Sequence, residues 1–214
     1  MPTLIADCGS SWSKIKDMEN GEVAILPTGQ VLRDRNVIFE VATGHLGRDR
    51  ALKYENELIA LAQGSLKLVA DKSFTVVDIG SRDTKFVQLH KRKVRKLDWN
   101  QACGANTGFT LELLAKYYDI DFDKLARSEE KIPVTCGIFA IEKIFETVIQ
   151  GKPIETALAA FVHGIAFNIY NFVQRPDVLY VSGGLCENRC FLDSLTQYCE
   201  VIPLGRNVLL EGLY

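Results

Sequence analysis

The sequence predicts an α/β protein built from two related halves, 1–72 and 73–214. A short apolar or β-branched run ending in Asp-x-Gly-Ser occurs twice, at Asp7-Cys8-Gly9-Ser10 and Asp78-Ile79-Gly80-Ser81. The copies lie 71 positions apart (78 − 7). Each copy is followed by two further strand-like runs. After the second copy the apolar spacing changes from alternating to helical.

In chain order, 3–6 is the first strand and 13–17 the second. Asn20-Gly21 is a hairpin turn signal and 22–26 the third strand, so the chain opens as an antiparallel meander. The spacing of Leu52, Leu58, Ile59 and Ala62 predicts a helix over 49–63 closed by Gly64. The second copy gives strands at 74–77, 85–89 and 94–99. Helices are expected over 107–118, over 140–150 (closed by Gly151-Lys152-Pro153) and over 154–173. A buried strand at 178–181 leads into Ser182-Gly183-Gly184. A short helix over 191–199 and a strand at 200–203 complete the pattern.

The chain carries 25 Lys+Arg against 27 Asp+Glu, a net charge of −2, with 47% hydrophobic and 24% charged residues. That balance excludes a disordered chain and disfavours a nucleic-acid binder, which carries a net basic field. The first residues have no basic segment, long apolar core or small-residue cleavage site, and no run reaches the ~18 apolar residues of a membrane span. The expected setting is therefore cytoplasmic and reducing. The six cysteines, at 8, 103, 136, 186, 190 and 199, are too sparse for a disulfide-stapled module.

Each Asp-x-Gly-Ser turn has the parts of a phosphate loop. An Asp at a strand end can hold Mg²⁺, directly or through water. The glycine admits close backbone approach, and the serine hydroxyl and turn amides can bond phosphate oxygens. Taken alone, either turn is an ordinary hairpin turn. Two matched copies followed by a strand–Gly-Gly unit look like the phosphate-1, phosphate-2 and adenosine motifs of the actin-like ATPase superfamily. The resemblance implies two ribonuclease-H-like lobes with ATP or ADP and Mg²⁺ in the interlobe cleft. It assigns Asp7 and Asp78 to Mg²⁺ and the attacking water. Gly9, Ser10, Ser11, Gly80 and Ser81 fall to the phosphates, and Gly183 and Gly184 to adenosine. Asp83 reads as a catalytic-site group that positions water or backs up the metal, and Lys85 as a strand surface residue.

Cys103 and Cys136 each stand immediately before a predicted helix, where the helix dipole favours a thiolate. Taken singly, each is more often a small buried residue. A [4Fe–4S] cluster takes four cysteine ligands, so two per chain would suffice in a twofold dimer. Their surroundings resemble a narrower family: the activators of 2-hydroxyacyl-CoA dehydratases and the ATPase subunits of benzoyl-CoA reductase. Asn100, Cys103 and Thr107-Gly108 match one family segment, and Cys136 with Phe139-Ala140 matches another. Asp78-Ile79-Gly80-Ser81-Arg82-Asp83-Thr84-Lys85 resembles the family's Asp-Ile-Gly-Gly-Gln-Asp-Ser-Lys. Thr43-Gly44-His45-Leu46-Gly47-Arg48 resembles its Thr-Gly-Tyr-Gly-Arg, and Gly183-Gly184-Leu185-Cys186-Glu187-Asn188 its Gly-Gly-Val-Ala-Lys-Asn.

The resemblance implies a homodimeric ATPase with Cys103 and Cys136 of both copies on one [4Fe–4S] cluster. Ferredoxin or flavodoxin would supply the electron, and an acceptor metalloenzyme would receive it. Ser81-Arg82, Gly104, Asn106 and Gly137-Ile138 depart from the family pattern without removing a proposed ligand. A small-molecule kinase of the same superfamily, or a nucleotide-dependent switch without a cluster, are the alternatives. Cys8, Cys186, Cys190 and Cys199 read as packing residues, His163 as a satisfied core residue, and 90–96 as a solvated hairpin turn or a dock for an acidic partner.

Overall fold

The structure is a computed structural model, and it describes residues 3–34, 36–100, 108–134 and 137–214. Two five-stranded sheets organise the chain. In the first, β1 (Leu4–Cys8), β2 (Trp12–Asp17) and β3 (Val23–Pro27) form the expected meander. The chain then runs through α1 (Thr28–Arg33) into β4 (Phe39–Thr43), which pairs parallel with β1, and β5 (Ala51–Tyr54), which pairs parallel with β4. The strand order is β3-β2-β1-β4-β5.

The second sheet contains β6 (Phe74–Ile79), β7 (Thr84–His90), β8 (Lys93–Asn100), β9 (Val178–Gly183) and β10 (Glu200–Gly205). Its order is β10-β9-β6-β7-β8, with β9 parallel to β6 and β10 parallel to β9. Numbered from its own first strand, each sheet reads third, second, first, fourth, fifth. The repeat seen in the turns is thus a repeat of whole sheets. The helices are α2 (Glu57–Leu68), α3 (Gly108–Tyr118), α4 (Gly137–Ile149), α5 (Ile154–Phe172), α6 (Arg189–Leu195) and α7 (Val208–Glu211). None is long and apolar enough to cross a membrane.

The chain divides into two compact units. One holds Met1–Ser73, Phe86–Asp98 and Arg206–Tyr214; the other holds Phe74–Lys85 and Trp99–Gly205. The core of the first unit includes Ala6, Cys8, Val31, Phe39 and Ala42, backed by Leu4, Ile15 and Leu26. In the second unit β6 is buried along its whole length, as a central strand covered on both faces should be. Leu158, Phe161 and Ile165 of α5 and Leu179 and Val181 of β9 are fully buried there.

The expected helix over 49–63 is corrected. Residues Arg48–Arg50 make one 3₁₀ turn and Ala51–Tyr54 is β5. The helix begins only at Glu57, where the Asn56 side chain accepts from Leu58 N at 2.9 Å. It also runs past Gly64, because this glycine does not cap it. A Cβ at 64 would lie 1.8 Å from the Val208 carbonyl oxygen, so the glycine lets α7 approach. Three short elements, α1, β4 and α7, were not foreseen from the sequence; each has too few residues to show a period.

Within the basic stretch 90–96 only Lys91-Arg92 form the hairpin turn, both at positive φ (51° and 60°), while His90 ends β7 and 93–96 begin β8. Arg92 is not a loose surface charge. Its guanidinium donates to the carbonyls of Leu66, Val69, Ala70 and Asp71 at the end of α2. His163 is a core residue, as expected. Its Nδ1 donates to the Glu130 carbonyl, which can only accept, at 3.0 Å, and its Nε2 lies 2.6 Å from the Tyr198 hydroxyl.

Candidate active site

The first Asp-x-Gly-Ser turn hangs from the end of β1. Asp7 is 5% exposed, and its register neighbours are Lys14 on β2 and Thr43 on β4. Lys14 Nζ donates to Asp7 Oδ2 at 2.8 Å. The turn is pinned from below. Thr28 Oγ1 donates to the Gly9 carbonyl at 2.8 Å and lies 2.9 Å from Ser13 Oγ, while Thr28 N donates to the Ser11 carbonyl at 2.8 Å. Ser10 is left exposed at the tip.

Beside this turn, β4 ends in Thr43-Gly44. Gly44 has φ +85°, and a Cβ there would lie 2.3 Å from the Cys8 carbonyl oxygen. The second unit repeats the arrangement. Asp78 is 4% exposed and pairs in register with Ser182, as Ile79 does with Gly183. Gly183 has φ +89°, and a Cβ there would lie 2.3 Å from the Ile79 carbonyl oxygen. A hydroxyl residue followed by a left-handed glycine therefore abuts each Asp-bearing strand, for the same steric reason. Gly184 N donates to Ile79 O at 2.8 Å, and Gly184 itself is exposed at the strand end.

The second turn is tightly closed, with Gly80 N donating to Asp83 O at 2.9 Å. The first N–H groups of α3 bond its carbonyls: Gly108 N to Gly80 O at 3.2 Å and Phe109 N to Ser81 O at 2.9 Å. A trans peptide sets its N–H opposite its C=O, and no described peptide is cis. The amides of Ser81 and Arg82 therefore point away from α3, as an anion-binding turn requires.

Lys85 does not fit the role first read for it. Lys85 is buried rather than on the surface, and its Nζ donates to Asp83 Oδ1 at 2.7 Å. Trp99 Nε1 donates to Asp83 Oδ2 at 2.8 Å, and the Lys85 ammonium lies 5.0 Å from the centre of the Trp99 ring.

Sequence reasoning singled out both aspartates and both turns, and Thr43 within a family-like segment, but not Lys14, Thr28 or Trp99. Lys14 could have been found from hairpin register: a strand pair closing on a turn at 9–12 sets 7 opposite 14. Thr43-Gly44, named in the sequence only within the family-like segment, is the structural counterpart of Ser182-Gly183. Cys103 and Cys136 lie outside the described residues. Of the other four cysteines, Cys8, Cys186 and Cys190 are buried and Cys199 is half-buried. Burial, followed by the charge of Asp7, pushes the Cys8 thiol up to about 11. Burial likewise pushes Cys190 and Cys199 up to about 11. At neutral pH these thiols are protonated packing groups.

The repeated strand order, with an Asp-x-Gly turn on the first strand of each sheet, defines an α/β protein of the actin-like ATPase fold. The chain superposes on the activator of 2-hydroxyisocaproyl-CoA dehydratase from Clostridium difficile, solved with bound ADPNP. The TM-score is 0.81 at 22% identity, over 100% of this chain and 92% of that one. Within that fold, the chain's relatives are the activators of 2-hydroxyacyl-CoA dehydratases, so the family resemblance read from its motifs is borne out. It is 28% identical to the activator of lactoyl-CoA dehydratase of Anaerotignum propionicum, over 88% of this chain and 85% of that protein. It is 24% identical to the (R)-2-hydroxyglutaryl-CoA dehydratase activating ATPase of Acidaminococcus fermentans, over 73% of this chain and 65% of that protein. No protein-family model matches the chain.

Proposed function

We propose that this chain is an ATP-dependent activator that passes one electron from a [4Fe–4S] cluster to a partner metalloenzyme of the 2-hydroxyacyl-CoA dehydratase kind. The observation that carries this reading is the pair of buried aspartates, Asp7 and Asp78. Each lies near the end of the first strand of a repeated sheet, in a chain whose relatives are named as dehydratase activators or activating ATPases. The donor set suits Mg²⁺, being carboxylate and hydroxyl oxygen without sulfur or imidazole.

Asp7 and Asp78 would hold Mg²⁺ and orient the attacking water. Gly9, Ser10 and Ser11 and the amides of the Gly80-Ser81 turn would bind phosphates, and Gly183-Gly184 would carry the adenosine. Lys14, held on Asp7, brings a cation to the first turn and limits the repulsion between that carboxylate and an incoming polyphosphate. Phosphoryl transfer to water needs little more than such positioning and charge neutralisation.

Cys103 and Cys136 would hold the cluster together with the same residues of a second copy. When bound, the cluster supplies a one-electron carrier. The lobes would be 1–72 and 73–214, the electron donor a ferredoxin or flavodoxin, and the compartment the cytoplasm.

Protein prepared under strict anaerobiosis should contain about four iron and four sulfide per dimer, lost in Cys103→Ala and in Cys136→Ala. Asp7→Ala should abolish ATP hydrolysis while the iron content stays. A colourless, iron-free protein that still hydrolyses ATP would overturn the electron-transfer reading and favour a kinase or a nucleotide switch.

A further inference from the structure

We propose that Trp99 and Lys85 are positioning residues for the phosphate-2 turn, acting through Asp83. The proposal deepens the ATPase reading and rests on it.

The turn from Gly80 to Asp83 is closed by one backbone hydrogen bond, and the Asp83 carboxylate folds back over it. A Cβ on Gly80 would meet Asp83 Oδ1 at 3.0 Å and Asp83 O at 3.2 Å. Asp83 is 5% exposed and Lys85 3% exposed. Each carboxylate oxygen has its own donor, the Lys85 ammonium on Oδ1 and the Trp99 indole N–H on Oδ2. The Trp99 ring lies beside that same ammonium.

Two consequences follow. A carboxylate engaged on both oxygens by a cation and an N–H is a poor base and a poor metal ligand. It is a rigid anchor, and it fixes the turn whose Ser81 and Arg82 amides face away from α3. The Lys85 charge also cancels that of Asp83. The turn then meets a polyphosphate without a bare anion inside it. Among the described residues, Trp99 supplies the Asp83 donor that lies outside the turn's own strand β7. Its hydrogen bond ties the turn to the end of β8.

The test is steady-state ATP hydrolysis by the full chain carrying Trp99→Phe, Asp83→Asn or both. Trp99→Phe keeps an aromatic ring and deletes the N–H together with the rest of the pyrrole ring. Losing a hydrogen bond to a charged group should raise the KM for ATP about 10-fold. Because the turn holds nucleotide in ground and transition states alike, kcat should stay within about threefold of wild type. Asp83→Asn also leaves the buried Lys85 ammonium without its counter-charge and should raise the KM at least as much, and the double variant should be no worse than Asp83→Asn alone, since Trp99 acts through Asp83.

A fall in kcat of about 100-fold or more in Asp83→Asn at unchanged KM would place Asp83 on the reacting atoms and overturn the proposal. Unchanged KM in Trp99→Phe with a lowered melting temperature would reduce Trp99 to packing and overturn it as well. A wild-type chain that hydrolyses no ATP would remove the ATPase reading and this proposal with it. Active wild type with unaltered variants would remove this proposal alone. If Trp99→Phe does not fold, Trp12→Phe leaves Trp99 as the only tryptophan. Its emission should then shift on adding Mg-ADP, and a flat titration across saturating nucleotide would count against the proposal.

Discussion

Lys14 and Asp7 face each other across β1 and β2 with little exposure, 13% and 7% for their side chains. Removing one partner of such a pair leaves the other charge buried. Lys14→Met should therefore lower stability by about 3 kcal/mol, seen as a lower urea midpoint at unchanged slope. Cys8, Cys190 and Cys199 offer a second check at this scale. Their thiols are raised from an ordinary 9.0 to about 11, so folding favours the protonated form. Their stabilising contribution is complete below pH 9 and is lost as pH climbs from 9 to 11. Urea midpoints should fall across that window, and a Cys8→Ala/Cys190→Ala/Cys199→Ala variant should lose less. In the wild type these three thiols should resist iodoacetamide at pH 8, where roughly one in a thousand is ionised. What the sequence shows at this scale is side-chain chemistry: aspartates, glycines and serines in the right order. It hides which neighbour each aspartate meets, because Lys14, Thr43 and Trp99 arrive by strand pairing and not by adjacency in the chain.

The elements were legible where length and period were strong. The meander β1–β3, the strands β6–β8 and the long helix α5 all fall within a few residues of where alternation and helical spacing put them. The misreading over 49–63 came from scattered leucines whose spacing mimicked a helix. Leu52, the first of them, in fact lies on edge strand β5 and is exposed. Gly64 misled for a different reason. A glycine late in a helix reads as a cap, but this one is needed for close approach to the Val208 backbone. Gly64→Ala should force α2 and α7 apart and destabilise the chain by roughly 2–4 kcal/mol, measured by urea unfolding. Asn56→Ala, which removes only the α2 cap, should lose about 1 kcal/mol in the same assay.

At the scale of the whole molecule, two sheets of one strand order each present an aspartate beside a hydroxyl–glycine pair. If both turns serve one nucleotide, calorimetry should find one ADP per chain. Mg-ADP at about 100 times its Kd should stabilise the protein by about 2.7 kcal/mol. Asp7→Asn and Asp78→Asn should each abolish that gain, whereas independent sites would leave part of it. The internal repeat, the two Asp-x-Gly-Ser turns and the α/β class were determined by the sequence alone, because they depend on residue type and short spacings that local chain geometry obeys. The parallel insertion of β4 beside β1 and of β9 beside β6, the Lys14–Asp7 pair and the Trp99–Asp83–Lys85 contact were decided only by the tertiary structure. Each joins residues through sheet register, and register is settled by which faces can be buried together, a property of the packed chain that no short window of sequence contains.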